Sequence, residues 1–416
     1  MPLRPLGKEA VLRFDASARR LRVASVVRAR AHRAVNARGL VWSAGVVVAV
    51  LALLAALVVA SALPAGYDFR AYWLAGRHLL TGAPLYPGPD TILGLPDEFR
   101  YLPAVAILFV PLALLPYEAV LPLWTALQVA IAAAVGIALI RPLPPSWRPW
   151  AAAGYVFFLA LVLEVTLGNV NLISLALALA AWRLRARALP AGVLLAAAVG
   201  LKFLPFNLLL FYVAAGRWRP VAAGAAIGTA ALVTSALALP DRTAEYVRFA
   251  PRILEQDWVY AHIARPGPPA LATIFWSEWF PLVLAVASVL VALLAGIAAR
   301  RDRANEDTWH GLTLATAGYL APFGYFWTTF LILSLPLAAD TLRRAAARGS
   351  RERAAIVGAV VLSWLLMEPQ QVGTLVPIAM HFLGVLLLCA LALATLARQT
   401  AATRLTLPST RARTSQ

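Results

Sequence analysis

Long apolar runs separated by short polar or Pro-rich intervals dominate this chain. They fall at residues 40–63, 102–116, 118–140, 150–166, 170–182, 189–200, 203–215, 220–239, 279–299, 311–322, 323–339, 354–367 and 373–397. A helix crossing a bilayer needs ~20 apolar residues. Several runs are shorter, which predicts tilted, broken or internally buried helices at those places. Run 102–116 is short and bounded by Pro103 and Pro116, which predicts a re-entrant or interfacial piece. The whole pattern predicts an all-α polytopic membrane protein with about 12–13 transmembrane helices, the larger count applying if 102–116 crosses. No repeat and no soluble domain stand out.

Two polar segments interrupt the apolar pattern at length, 64–101 and 240–278. In the first, Asp68–Leu80 has the spacing of a short amphipathic helix. Phe69, Tyr72, Trp73 and Leu80 share one face, while Arg70, Arg77 and His78 lie elsewhere. That pattern suits a helix lying in the interface plane. The second segment mixes charge with aromatics from Asp241 to Trp276, a composition suited to closing over a site.

Composition agrees with the pattern. The chain of 416 residues is 61% hydrophobic, only 13% charged, and has a mean hydropathy of +0.76. A soluble domain has about 25% charged residues. The net charge of +18 raises nucleic acid as a partner, but the distribution argues against it. Taking 1–39, 141–149, 183–188, 216–219, 300–310, 340–353 and 398–416 as cytoplasmic places 29 of the 37 Lys and Arg on that side, as the positive-inside rule requires. Both termini are then expected in the cytoplasm, and run 40–63 is expected as a retained span rather than a cleaved signal. Attraction to anionic lipid accounts for the basic tail 1–39. The domain reading is a basic cytoplasmic tail 1–39, a membrane domain 40–397 and a cytoplasmic tail 398–416. The single Cys389 excludes an intrachain disulfide and reads as a small buried hydrophobe.

Candidate chemistry lies on the side opposite the basic segments. Asp68 follows the first apolar run directly and is a candidate general base; capping the interfacial helix is an equal alternative. Lys202 is a solitary cation between two apolar runs, suited to a phosphate or to snorkelling from a helix end. Glu164-Val165-Thr166-Leu167-Gly168-Asn169-Val170-Asn171 reads as a sugar-binding polar patch or as a polar turn. Arg100 is a second candidate for phosphate, and His262 and Arg265 are candidates within the long segment. No P-loop, dinucleotide fingerprint, Ser-nucleophile motif or metal-ligand cluster is present in the sequence.

Asp68-Phe69-Arg70-Ala71-Tyr72-Trp73 with Gly82-Ala83-Pro84-Leu85-Tyr86, then Phe99-Arg100-Tyr101-Leu102-Pro103, Gly168-Asn169-Val170-Asn171 and Lys202-Phe203-Leu204-Pro205, form an ordered set over roughly residues 40–240. This set resembles glycosyltransferase family 87, polyprenol-phosphate-mannose-dependent mannosyltransferases of the glycosyltransferase C superfamily. Asn169 and Phe203 depart from the family's usual Gln and Pro. The resemblance implies a glycosyltransferase C-type fold and an inverting hexosyltransferase of the cell membrane with an extracytoplasmic site. It implies Asp68 as catalytic base, a polyprenyl-phosphate sugar donor (usually mannose), no metal or other cofactor, and a glycolipid or cell-envelope glycan acceptor. Lys202 and Arg100 would meet the lipid phosphate; Tyr72, Tyr101, Asn169 and Asn171 would position the sugar, with His262 and Arg265 in reach. The alternative from another class is a lipid-linked glycan flippase or other non-catalytic transporter.

Overall fold

The computed structural model describes residues 65–88, 98–156, 158–202, 206–263, 280–301 and 332–346. Every regular element among them is an α-helix or a short 3₁₀ turn. In chain order these are α1 Tyr67–Thr81, α2 Pro103–Ala113, α3 Tyr117–Ile140, α4 Arg148–Val156, α5 Leu159–Leu167, α6 Asn171–Arg183, α7 Ala188–Leu201, α8 Phe206–Ala214, α9 Trp218–Ala238, α10 Pro240–Ile263, α11 Phe280–Arg301 and α12 Leu335–Ala346. Both tails, the first apolar run 40–63, Arg265 and Cys389 lie outside the described residues.

Proline and glycine punctuate this end of the chain as their backbone chemistry dictates. Pro103 opens α2 and Pro116 immediately precedes α3, where a missing N–H costs nothing. α1 ends on Gly82 in the left-handed conformation, the usual glycine stop. α2 has 11 residues, about 16 Å at 1.5 Å per residue, half the ~30 Å hydrocarbon thickness. It lies against α1, so close that a Cβ on Gly76 would stand 2.7 Å from the Phe109 carbonyl oxygen. Run 102–116 is thus a short helix docked beside the interfacial helix. The chain then goes from the Asp68 end to the Arg141 end through α3 alone.

α3 and α9 are each long and apolar enough to cross a membrane, and α4 with α5 form one candidate span bent by 49°. Run 150–166 is therefore broken rather than continuous. α6 and α7 return antiparallel, with the Ser174 hydroxyl donating to the Ala198 carbonyl at 2.8 Å. α7 and α9 touch along small residues: a Cβ on Gly192 would fall 2.8 Å from the Gly224 nitrogen. Close backbone approach of this kind is how helices associate where lipid removes the hydrophobic driving force.

Residues 240–263 of the second polar segment are one continuous helix, α10, despite Pro251. α12 runs through the boundary placed at 339/340, and Asp340 is buried, paired with Arg343 at 3.0 Å. The apolar run ending at 339 continues as an amphipathic helix because Asp340 and Arg343, at i,i+3, satisfy each other.

The core has two parts. The larger joins α3 to α8 with α11 and α12 through residues such as Leu161, Leu172, Leu195, Phe211 and Ile332. The smaller lies at the Asp68 end and is aromatic: Phe69, Tyr72, Tyr86, Phe99, Phe109, Trp124 and Phe249. Phe69 is stacked between Trp124 (4.8 Å between centroids) and Tyr117 (6.0 Å). Such pairs add ~0.5–1.5 kcal/mol beyond their burial. This cluster clamps α1 onto the start of α3. Leu80 departs from the expected inner face and is 44% exposed; α1 meets α2 through Gly76, close to the Phe109 carbonyl, and through Tyr72, stacked on the Phe109 ring at 5.0 Å.

Candidate active site

The site forms where the ends of α1, α5, α6 and α7 meet. Asp68 stands in the first turn of α1, but the helix is capped by Gly66 with no side-chain cap bond. Its carboxylate is engaged elsewhere: Asn169 Nδ2 donates to Asp68 Oδ2 at 2.7 Å. The favourable first-turn placement therefore accompanies a tertiary contact rather than a local cap.

The turn between α5 and α6 puts Asn169 there. α5 stops at Gly168, whose φ is +72° and whose missing Cβ would lie 2.7 Å from the Phe69 Cβ and 3.0 Å from Trp124 Nε1. Only glycine fits both the left-handed backbone and the close approach. Trp124 Nε1 donates to the Gly168 carbonyl at 2.9 Å, and the Gln128 amide donates to the Asn169 carbonyl. Asn169 Oδ1 accepts from the Val170 N–H at 2.7 Å, from Lys202 Nζ at 3.3 Å and, at a long 3.4 Å, from the Tyr72 hydroxyl. With its oxygen so occupied, the amide must present its NH₂ to Asp68.

Lys202 ends α7 with an extended backbone. Its Nζ also donates to the Tyr101 hydroxyl at 2.9 Å and lies 5.4 Å from that ring's centroid. The Tyr101 and Tyr72 hydroxyls are 2.9 Å apart. Tyr86 fixes Tyr101 from behind, donating to its carbonyl at 2.6 Å. Five of the residues singled out in the sequence (Asp68, Tyr72, Tyr101, Asn169 and Lys202) thus share one hydrogen-bonded cluster. Arg100 pairs with Glu98 at 3.1 Å and acts on Asp68 through its charge.

Burial raises the Asp68 carboxyl above its ordinary 3.8; the Lys202 charge, the Asn169 hydrogen bond and the Arg100 charge oppose that shift. Burial, with Tyr101 and Asp68 nearby, pushes the Tyr72 phenol well above 10, so Tyr72 acts as a neutral donor. The cluster holds a partly desolvated carboxylate beside a cation, the environment in which proton-transfer groups are tuned.

Other residues fall differently. Asn171 is fully buried behind the turn, with Nδ2 on Glu164 Oε2 at 2.9 Å, outside the Asp68 cluster. The His262 side chain and Arg265 lie outside the described residues. Sequence reading passed over Gln128 and Trp124, and gave Tyr86 only as part of the Gly82–Tyr86 motif. Gln128 was findable, as a lone amide within an apolar span; the aromatics look like ordinary belt or core residues. Also missed was the fastening of α10 to segment 82–88. Arg242 pairs with Glu245 and donates to the Gly82 carbonyl at 2.5 Å, Glu245 accepts from the Leu85 N–H at 3.1 Å, and Arg252 donates to the Gly88 carbonyl at 2.7 Å. Among the described residues no three of His, Cys, Asp and Glu gather as metal ligands.

A family model, Glycosyltransferase family 87, matches residues 99–321. The chain belongs to glycosyltransferase family 87. It is an all-α polytopic membrane glycosyltransferase. No curated protein and no solved structure matches it. The family 87 match extends further toward the C terminus than the motif set and begins after α1. It contains Arg100, Tyr101, Asn169 and Lys202 but not Asp68 or Tyr72. The bonds from Asn169 to Asp68 and from Tyr101 to Tyr72 attach α1 to the family 87 region.

Proposed function

We propose that this family 87 protein transfers a sugar, mannose by family resemblance, from polyprenyl phosphate to a hydroxyl of a glycolipid or envelope glycan, with inversion. The observation that carries this reading is the Asp68 carboxylate held by Asn169 in one cluster with Lys202. Asp68 takes the proton of the acceptor hydroxyl as its oxygen bonds the anomeric carbon. The bond from that carbon to the phosphate oxygen breaks, and the charge left on the phosphate is stabilised by Lys202 and Arg100. Proton removal of this kind contributes ~10²–10⁴-fold, and fixed cations at a departing phosphate add to it. Tyr72 and Tyr101 supply hydroxyls for the sugar. No metal or other cofactor is assigned.

The reaction is placed on the extracytoplasmic face of the cell membrane. Supporting this, Asp68, Tyr101, Asn169 and Lys202 gather at one end of the helices, while Arg141, Arg148, Arg183, Arg185, Arg187, Arg217 and Arg219 sit at the other helix ends, the side favoured for the cytoplasm. The test is transfer in proteoliposomes from polyprenyl-phosphate mannose to a panel of glycolipids, with the product's anomeric configuration read by NMR. An inverted linkage supports the reading. A retained linkage contradicts a single displacement, and absence of transfer from polyprenyl-phosphate mannose to any acceptor of the panel contradicts the proposed donor and acceptor classes.

A further inference from the structure

Glu164 is a buried acid that the chemistry above does not use. It ties down the turn that carries Asn169. The Glu164 carbonyl accepts from the Gly168 N–H at 3.0 Å and from the Asn169 N–H at 3.1 Å. Its carboxylate accepts from the Leu172 N–H at 2.8 Å through Oε1 and from Asn171 Nδ2 at 2.9 Å through Oε2. One residue at the end of α5 thus engages four of the next eight positions. The Leu172 bond satisfies a donor at the start of α6 that no helical carbonyl can reach.

We propose that Glu164 is a positioning residue for the Asp68 base: its side chain holds the 168–172 turn in the conformation that aims Asn169 Nδ2 at Asp68. The inference rests on Asp68 being the base. Glu164 itself exchanges no proton with substrate; Asn169 stands between it and the carboxylate. The alternative role is that of a helix cap whose loss lowers stability and nothing else.

Asn171 makes the distinction testable. Its Oδ1 is buried and accepts no hydrogen bond. In Glu164→Gln the new amide can donate to Asn171 Oδ1 once that side chain flips, while Gln Oε1 keeps the Leu172 N–H. E164Q therefore preserves the turn, and E164A removes both side-chain ties. Both variants are neutral at position 164, so comparing them isolates the turn from the charge. The charged groups acting on Asp68 are Lys202 and Arg100, and Asp68 acts in turn on the Tyr72 phenol; none of these residues is altered in either variant.

The experiment uses the full chain in proteoliposomes with two readouts. The first is modification by dicyclohexylcarbodiimide, which attacks protonated carboxyl groups, followed at Asp68 by peptide mass spectrometry across pH. Losing the Asn169 bond disfavours the charged form, so the pH at which Asp68 labelling disappears should be higher in E164A than in E164Q. The second is transfer: kcat in E164A falls about 10-fold or more with KM little changed, since small misplacements at a reacting centre are costly, and E164Q recovers most of it. If E164A does not fold, N171A, which removes one tie, should show the same labelling shift in smaller measure.

Equal labelling profiles for E164A and E164Q overturn the proposal and leave Glu164 as a cap. E164Q as inactive as Asp68→Asn also overturns it, because Glu164 would then carry proton chemistry itself. Absence of transfer by every variant, wild type included, is a failure of the proposed function; the labelling comparison still decides the role of Glu164.

Discussion

Asn169 Nδ2 donates to Asp68 Oδ2 across 2.7 Å, joining residues 101 positions apart. The same amide accepts from Lys202 on its oxygen. The Asp68 carboxylate, the proposed base, and the Lys202 ammonium, the proposed phosphate partner, are therefore both held by one side chain. Asn169→Ala should lower kcat by about 10-fold or more, as removal of a single preorganised donor does elsewhere at up to 10²–10³-fold. Asn169→Asp should be worse, because a second carboxylate would face Asp68. Steady-state transfer by the two variants checks the order; equal activity of the three proteins would contradict it.

Asp68 must be ionised to accept a proton. Its pKa is raised by burial above the ordinary 3.8, so activity should fall as pH drops through that raised value. Lys202 opposes the rise. Lys202→Met should therefore move the acid limb of kcat/KM to higher pH, and Arg100→Ala should move it in the same direction by less. A pH–rate profile for each variant checks the sign. A downward movement in the Lys202 variant would contradict the electrostatic account.

Gly168 and Gly82 share a left-handed backbone but differ in surroundings. Nothing lies within 4 Å of a Cβ at Gly82, whereas one at Gly168 would strike Phe69 and Trp124. Gly82→Ala should cost only the backbone term, ~1–2 kcal/mol. Gly168→Ala should cost ~1–3 kcal/mol more from overpacking and lower transfer by displacing Asn169. Thermal midpoints in detergent, with activity alongside, separate the two.

Phe69 is fully buried between Trp124 and Tyr117. Phe69→Ala should lose ~3–5 kcal/mol and release α1, so the loss of transfer should exceed that expected from global stability alone. Retained activity with a lowered thermal midpoint would mean that α1 is held by other contacts.

Sidedness is open to chemical labelling. With Cys389 replaced by Ser, a cysteine at exposed Thr81 should react with an impermeant thiol reagent in intact cells. One at exposed Arg187 should react only after permeabilisation. The reverse pattern would place the Asp68 cluster in the cytoplasm.

Much of this arrangement was legible in the sequence because the bilayer imposes coarse, additive signals. The apolar runs located α3, α6, α7 and α9 closely, and Pro103 and Pro116 marked α2 as a short piece. Asp68, Tyr101, Asn169 and Lys202 stood out because each is polar where an apolar run ends. The rest depends on tertiary contact. Asn171 and Asn169 look equivalent in sequence, yet the turn sends one to Glu164 and the other to Asp68. Glu164 read as one member of a sugar-binding polar patch or a polar turn, because its hydrogen bonds to the following residues exist only once Gly168 reverses the chain. The helicity of α10 was hidden by its charge and by Pro251, and its bonds to segment 82–88 span more than 150 residues.

The central claim is that Asp68 is the base of a sugar transfer. The most direct test is the rate of sugar transfer by wild type and Asp68→Asn in the same proteoliposomes, with polyprenyl-phosphate mannose as donor and matched thermal midpoints. Asn keeps the shape and cannot take the proton. The account predicts a fall of ~10²-fold or more. Turnover by Asp68→Asn within a fewfold of wild type would contradict it.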